Sequence, residues 1–386
     1  MFWRRLIWLV TLMHVYVFAR AAWTPLTKRP ASRVMLAAVG IALLTVFWLG
    51  RVVGHGGQGR LAAVLELIAM DWMAMIFLTF IAMLLTDLVT GFGLLLPRLA
   101  PWLRLGALGV GALLSLIAVI QGMRPPVVRE YEVHLRGLPQ EMDGTVLVAV
   151  SDLHLGSLIG ERWLEARLAQ VRTLDPDMVA LLGDIFEGHG RAQGRLLELL
   201  GDLSAPLGVW GVHGNHESYG RRRGGNSAVE EAGVEVLRNR WIQVQPGLVV
   251  AGVDDLSPRR AESEGRDMVI GALSGRPDDA TVFLSHRPLQ AETAADEGVG
   301  LMLSGHTHAG QVWPFGYLVQ REYPYLAGRY EVGQMTLIVC RGTGTWGPRM
   351  RLWRPGEILK VTLRSAERDA GSPSPAMAAG RPATEG

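Results

Sequence analysis

Long uncharged runs fill the first third of the chain, and short β-branched runs ending in Gly, Asp or His fill the rest. Val34–Gly50 lies between Arg33 and Arg51, and Leu105–Met123 lies between Arg104 and Arg124. Both have the length of a helix that crosses a hydrocarbon layer of about 30 Å. Leu61–Thr90 is equally apolar but carries Glu66, Asp71 and Asp87, so its uncharged centre is Trp72–Thr86 and it reads as a third, tilted span. Leu6–Ala19 is short enough for a signal-peptide core, but no small-residue cleavage site clearly follows it. Arg20 can snorkel and Trp23 can anchor there, so it counts as the first of four spans. Beyond Arg124-Pro125-Pro126 the expected strands are Val127–Leu135, Thr145–Val150, Met178–Leu182, Gly208–Val212, Leu248–Val253, Thr281–Leu284, Val299–Leu303, Thr336–Cys340 and Ile358–Leu363. Glu161–Leu174 and Arg191–Leu203 have leucines at helical spacing and fit crossover helices. That alternation predicts a layered α/β domain.

The expected organisation is therefore a helical transmembrane region over 1–123, a catalytic domain over 124–364 and a disordered tail over 365–386, where Ala, Gly, Ser, Pro and charge run without periodicity. Composition agrees: 49% of residues are hydrophobic and only 19% charged, too apolar for an ordinary soluble enzyme. Residues 1–123 hold ten Lys/Arg against three Asp/Glu, and the remainder holds twenty-eight against thirty-three. A mildly acidic second part argues against a nucleic-acid groove, which needs a basic stripe to neutralise phosphates. The single cysteine, Cys340, excludes a disulfide framework and a Cys-based zinc site.

Charges inside apolar helices are expensive. Glu66 and Asp71 are read either as part of an intramembrane site or ion path, or as partly hydrated groups near an interfacial end. His14 reads as a packing or interfacial residue. With four spans the Lys/Arg count of the short loops is six on each side, so the sequence places the later part on the side of the N-terminus without choosing the compartment.

Chemistry gathers at the strand ends, where open α/β sheets bind ligands. The first runs deliver Asp152 and His154, then Gly183-Asp184, then Gly214-Asn215-His216-Glu217. Later runs deliver His286 and Gly305-His306-Thr307-His308. Residues i and i+2 of an extended segment point the same way, so Asp152 with His154, and His306 with His308, can each aim two ligands into one space. A carboxylate such as Asp184 can bridge two cations about 3.5–4 Å apart. Mixed His, Asp and Asn donors suit Mn, Fe or Zn better than Ca. His189 and His213 are left over and are read as surface or supporting residues. Arg341, Trp346 and Arg349, in a glycine-rich loop, either line a substrate pocket or pack and solvate the loop.

Taken together, the series Asp152-x-His154, Gly183-Asp184, Gly214-Asn215-His216-Glu217, His286 and Gly305-His306-Thr307-His308 resembles the calcineurin-like metallophosphoesterase superfamily. Gly252-Val253-Asp254-Asp255, Ala309-Gly310-Gln311, Arg341-Gly342-Thr343-Gly344-Thr345 and Arg351-Leu352-Trp353-Arg354-Pro355 resemble its YkuE-like bacterial branch, whose multi-span members carry N-terminal helices. Ala309 stands where that branch often has Gly. The resemblance implies an α/β layered sandwich of two mixed sheets flanked by helices. It implies two divalent metal ions, one on Asp152, His154, Asp184 and His308, the other on Asp184, Asn215, His286 and His306. It also implies His216 as the residue that contacts the phosphoryl group, supported by Glu217, with Asp184, Asn215 and His216 as the catalytic set.

The expected activity is metal-dependent hydrolysis of a phosphoester or pyrophosphate bond at a cell membrane, with metal-activated water as nucleophile. Tethering near the bilayer makes a lipid-linked phosphate or pyrophosphate ester a natural substrate class, and the sequence does not choose between a monoester and a diester. The alternative is a non-catalytic membrane scaffold or sensor built on the same fold.

Overall fold

The computed structural model describes residues 2–54, 57, 59–187, 194–219 and 227–366. Four helices come first: α1 (Phe2–Ala21), α2 (Pro30–Leu49, continued by one wider turn over Gly50–Gly54), α3 (Arg60–Val89) and α4 (Ala100–Gly122). Pro30 and Pro101 sit in the first turns of α2 and α4, where a missing backbone N–H leaves nothing unpaired. Among the described residues, three helices are long and apolar enough to cross a membrane: Pro30–Gly54, Arg60–Val89 and Ala100–Gly122. Helix α1, which holds the expected first span Leu6–Ala19, begins in residues whose side chains lie outside the described ones. It is packed into the bundle, burying Val10, Met13 and Val17 against Phe47, Ala69 and Ile76.

One ion cluster ties three of these helices at the end away from the sheets. Asp87 of α3 is fully buried, accepts from Tyr16 Oη at 2.6 Å, and pairs with Arg20 at 2.7 Å and Arg104 at 2.8 Å. Arg20 therefore turns inward to a carboxylate instead of snorkelling, because a buried anion with no partner costs far more than an ordered arginine. His14 is a packing residue as expected. It faces the Gly40 carbonyl at 3.0 Å, accepts from Trp72 Nε1 at 3.2 Å and stacks on Phe18.

Among the described residues twelve strands follow, in two six-stranded sheets. They are β1 (Val127–Arg136), β2 (Val146–Val150), β3 (Met178–Leu181), β4 (Val209–Gly211), β5 (Glu235–Val236), β6 (Arg240–Gln245), β7 (Leu248–Gly252), β8 (Ala280–Leu284), β9 (Leu301–Ser304), β10 (Gly328–Val332), β11 (Met335–Val339) and β12 (Glu357–Ala366). The first sheet has the order β1-β12-β2-β3-β4-β5 and the second β10-β11-β9-β8-β7-β6. Both are mixed: β2, β3, β4 and β5 run parallel, as do β7, β8, β9 and β11, while β12 meets β2, and β6 meets β7, in antiparallel fashion.

The inner faces share one core, including Leu147, Ala149, Met178, Val250, Val282, Leu303 and Ile338. Helices α5 (Glu161–Arg172) and α6 (Gly194–Gly201) cover the outer face of the first sheet, and helices Arg266–Leu273 and Ala291–Asp296 cover that of the second. Strands buried on both faces read as continuous apolar runs, which is why β2, β3, β7, β8, β9 and β11 are legible in the sequence. Strands β5, β6 and β10 were not expected. All three stand in or beside sheet edges, where one side meets solvent and polar residues interrupt the run. Strand β12 continues through Ser365 and Ala366, the first two residues of the expected tail; the remainder of that tail, and His189, lie outside the described residues.

Replacing Asp87 by Ala leaves two arginines and a tyrosine without their shared acceptor inside the helix bundle. The expected loss is about 3–5 kcal/mol, read as a lowered unfolding midpoint of the detergent-solubilised chain, and Arg104→Ala should cost a comparable amount.

Candidate metal centre

Residues of the expected constellation meet at one rim. Asp152 and His154 follow β2, Asp184 follows β3, Asn215 and His216 follow β4, His286 follows β8, and His306 with His308 follow β9. Three overlapping groups have ligand atoms mutually within 4.8 Å: Asp152, His154 and His308; His154, Asp184 and His216; Asp184, His286 and His306. His308 Nε2 lies 3.3 Å from Asp152 Oδ1 and 3.2 Å from His154 Nε2. On the other side of the site, His286 Nε2 lies 3.3 Å from Asp184 Oδ2 and 3.2 Å from His306 Nδ1.

Backbone geometry aims these side chains. Asp152, His154, Asp184, His306 and His308 all have φ between +48° and +69°, in the left-handed region that L-residues rarely visit. Five such residues in one site represent stored strain of order 1–3 kcal/mol each. Alternation along an extended strand, the sequence argument for pairing Asp152 with His154, is thus replaced by tight left-handed turns. Gly214 is required for another reason: a Cβ there would collide with the Asp184 carboxylate.

Supporting bonds fix the orientation. Glu217 accepts from the backbone N–H groups of Asp184, Ile185, Phe186 and Gly214 at 2.8–3.2 Å, clamping the turn after β3 to the turn after β4. Asp184 Oδ1 accepts from His216 N at 2.8 Å, and Asp152 Oδ2 accepts from His306 N at 3.0 Å and from the Ser151 hydroxyl. Arg287 donates to Asn215 Oδ1 at 3.2 Å and pairs with Asp255 at 2.9 Å. Tyr323 Oη meets His306 Nε2 at 3.0 Å. Arg351 is buried beneath His308, with its Nη2 3.5 Å from His308 Nδ1 and bonded to the carbonyls of Arg341, Gly342 and Gly344.

Glu187 is the member that the sequence reading missed. Its carboxylate spans Nδ1 of His154 and Nδ1 of His216, each at 3.0 Å. The contacts are ones of charge, since neither Nδ1 meets hydrogen-bond geometry, and a carboxylate beside Nδ1 is the arrangement used to orient ligating histidines. No spacing rule points to Glu187, three residues past Asp184; only the fold brings it between two histidines 62 positions apart.

Charge in this pocket is arranged around the acids. Burial disfavours the anions of Asp152 and Asp184, yet His308 and His286 beside them hold both carboxyls well below the usual range. Burial likewise opposes the Glu187 anion, but His154 and His216 keep it low. His216 is buried too, and the carboxylates of Asp184 and Glu187 nonetheless lift it to about 9. Burial holds His306 and His308 neutral, the form that coordinates metal. The donor set fits a pair of divalent cations: clustered imidazoles, carboxylates held anionic, and a buried Asp152 Oδ1 that accepts no hydrogen bond and faces His308 Nε2.

Several other expectations resolve here. Glu66 accepts from Ser157 Oγ at 2.7 Å and Asp71 accepts from Arg349 N at 2.7 Å, so these acids of α3 hold the helix bundle against loops of the sandwich. Arg349 also bonds the Leu158 carbonyl, and the backbone of Trp346 is held by Gln311 on both sides, so both residues pack the loop. Arg341 lies 3.6 Å from Glu357. His213 is buried 2.8 Å from Ser227 Oγ, a supporting residue and not a surface one.

Glu187→Gln should weaken metal binding roughly 10–100-fold and lower the pKa of His216, since a carboxylate that raises it is gone. The alkaline limb of kcat/KM against pH should move to lower pH; an unmoved limb with unchanged metal content would contradict the bridging role.

Comparison with known proteins agrees with this geometry. Residues 145–310 match the family model described as calcineurin-like phosphoesterase. The chain is 32% identical over 275 residues to the "Transmembrane protein with metallophosphoesterase domain" of Bos taurus, covering 67% of this chain and 62% of that protein. It is 31% identical over 249 residues to an uncharacterized metallophosphoesterase of Aquifex aeolicus, covering 61% of this chain and 91% of that one. It is 30% identical over 239 residues to the metallophosphoesterase YkuE of Bacillus subtilis, covering 59% and 82%. The match thus spans less than two thirds of the cattle protein's length. With the two mixed sheets and the grouped His and Asp side chains, these matches show that the chain belongs to the calcineurin-like phosphoesterases.

Proposed function

We propose that this chain is a membrane-anchored, dinuclear phosphoesterase that hydrolyses phosphoester or pyrophosphate bonds, with a lipid-linked phosphate as its substrate class. The observation that supports it most is the overlap of the three ligand groups, which share His154 and Asp184. In this reading Asp152, His154, Asp184 and His308 hold one cation, and Asp184, Asn215, His286 and His306 hold the other. Residues 1–123 anchor the chain in a cell membrane and 124–364 carry the chemistry.

When bound, two such cations supply a water of lowered pKa and neutralise phosphoryl oxygens. The protein's own residues do the rest. Glu187 lies 3.0 Å from Nδ1 of His216, and the charges of Asp184 and Glu187 keep the ring protonated, Nε2 included, at neutral pH. That proton is available to a leaving oxygen, help worth roughly 10²–10⁴-fold. Arg287 fixes the amide of Asn215 through its carbonyl oxygen, and the Glu217 clamp keeps the turns after β3 and β4 in register. Tyr323 and Arg351 set the ring planes of His306 and His308 from behind.

His216→Ala should retain two equivalents of metal while turnover of a chromogenic phosphodiester with a poor leaving group falls roughly 10²–10⁴-fold; undiminished turnover removes the acid role. Asp184→Asn should lose both metals together, and elemental analysis finding two equivalents in that variant would overturn its bridging role.

A further inference from the structure

The segment that leaves the His306–His308 turn carries an apolar surface that the phosphoesterase chemistry does not use. Val312 is buried with Ala74 and Leu78 of α3, Ala118 of α4, and Met350 and Leu352. Phe315 meets Phe77 of α3 edge-on at 6.1 Å, and Trp313 packs on Trp353 at 5.2 Å. Trp353 N in turn donates to Gln121 Oε1 near the end of α4 at 2.8 Å, and Arg351 N donates to the Ala118 carbonyl at 2.9 Å. The turn is therefore fastened to two apolar helices on one side. Its other side stands open, with Phe315 37%, Tyr317 65%, Leu318 53% and Trp353 53% exposed.

The height of the contact matters. Asp71 is the last charged residue of α3 before Asp87, and Phe77 lies six residues past it. At 1.5 Å per residue that is about 9 Å into a run of helix whose outer face only hydrocarbon suits. Ala118 likewise lies inside the uncharged run of α4. Exposed aromatic and leucine side chains of the sandwich thus continue the lipid-facing surface of the helices at the same depth. Trp and Tyr favour the boundary between headgroups and acyl chains.

We propose that the Trp313–Leu318 turn, with Trp353, is a ledge that enters the bilayer beside α3 and α4, its occupant being the acyl and headgroup boundary of a single leaflet. This rests on the membrane reading of the helices given above. The ledge is coupled to the metal ligands through Gly310, which has a φ of +75° and is backed so closely by Gly316 that a Cβ there would collide with it. His306 and His308 are thereby held at headgroup depth, and the substrate class this suits is a phosphorylated amphiphile whose phosphate never leaves that layer.

Nitroxide labels on the full chain in phosphatidylcholine/phosphatidylglycerol vesicles test this, because the native Cys340 is buried and does not compete for label. Leu318→Cys reports the ledge, Leu113→Cys the outer face of α4, and Glu262→Cys an exposed site just ahead of the helix that covers the outer face of the second sheet. Expected is higher collision with oxygen than with a water-soluble nickel chelate at 318 and 113, and the reverse at 262. A lipid-like 113 with a water-like 318, or with a 318 shielded from both reagents by a protein partner or a second copy, overturns the ledge alone. Water-like behaviour at all three positions overturns the membrane reading and the ledge with it.

Discussion

Anions crowded into a dry pocket must each be met by a cation or by hydrogen-bond donors, because an uncompensated buried charge costs several kcal/mol. Asp152, Asp184, Glu187 and Glu217 lie within one such pocket, and most of the surrounding structure answers that demand. Glu217 is met by four backbone N–H groups, which converts a charge problem into a clamp between two strand ends. Glu187 is met by two imidazoles, and Asp152 and Asp184 by histidines from the second sheet. Because the partners come from both sheets, the pocket forms only when the two sheets pack face to face.

The same rule governs the helical bundle. Asp87 is satisfied by Arg20 and Arg104 from the neighbouring helices, while Glu66 and Asp71 are satisfied by Ser157 and by the Arg349 backbone. The acids of α3 therefore mark its two ends differently: one fastens helix to helix, the others fasten helix to enzyme. A bundle joined so closely to loops 155–160 and 346–353 is part of the frame of the candidate metal centre.

Local strain at the site fits this picture. Left-handed backbone at Asp152, His154, Asp184, His306 and His308 persists only where surrounding bonds over-determine it, as Glu217, Tyr323 and Arg351 do here. The core strands supply the rigidity: β3, β8 and β9 are buried along their whole lengths, and β2 from Leu147 onward.

The gathering of Asp152, His154, Asp184, His286, His306 and His308 at strand ends was legible in the sequence, as were the core strands and the apolar runs, since burial on both faces of a sheet writes a continuous apolar run into the chain and each run ends at the residue that leaves the sheet. The edge strands β5, β6 and β10 were not legible, because a strand wetted on one side keeps no such run. Glu187, Arg287, Tyr323 and Arg351 were not legible as supports either, for their roles depend on which side chains they face across the pocket and not on their spacing from the ligands. Nor did the chain's pattern tell that Arg20 would turn inward, or that Glu66 and Asp71 would meet residues more than ninety and two hundred positions away. Composition and periodicity are properties of neighbours along the chain; charge compensation is settled among neighbours in space, and only the folded molecule chooses those.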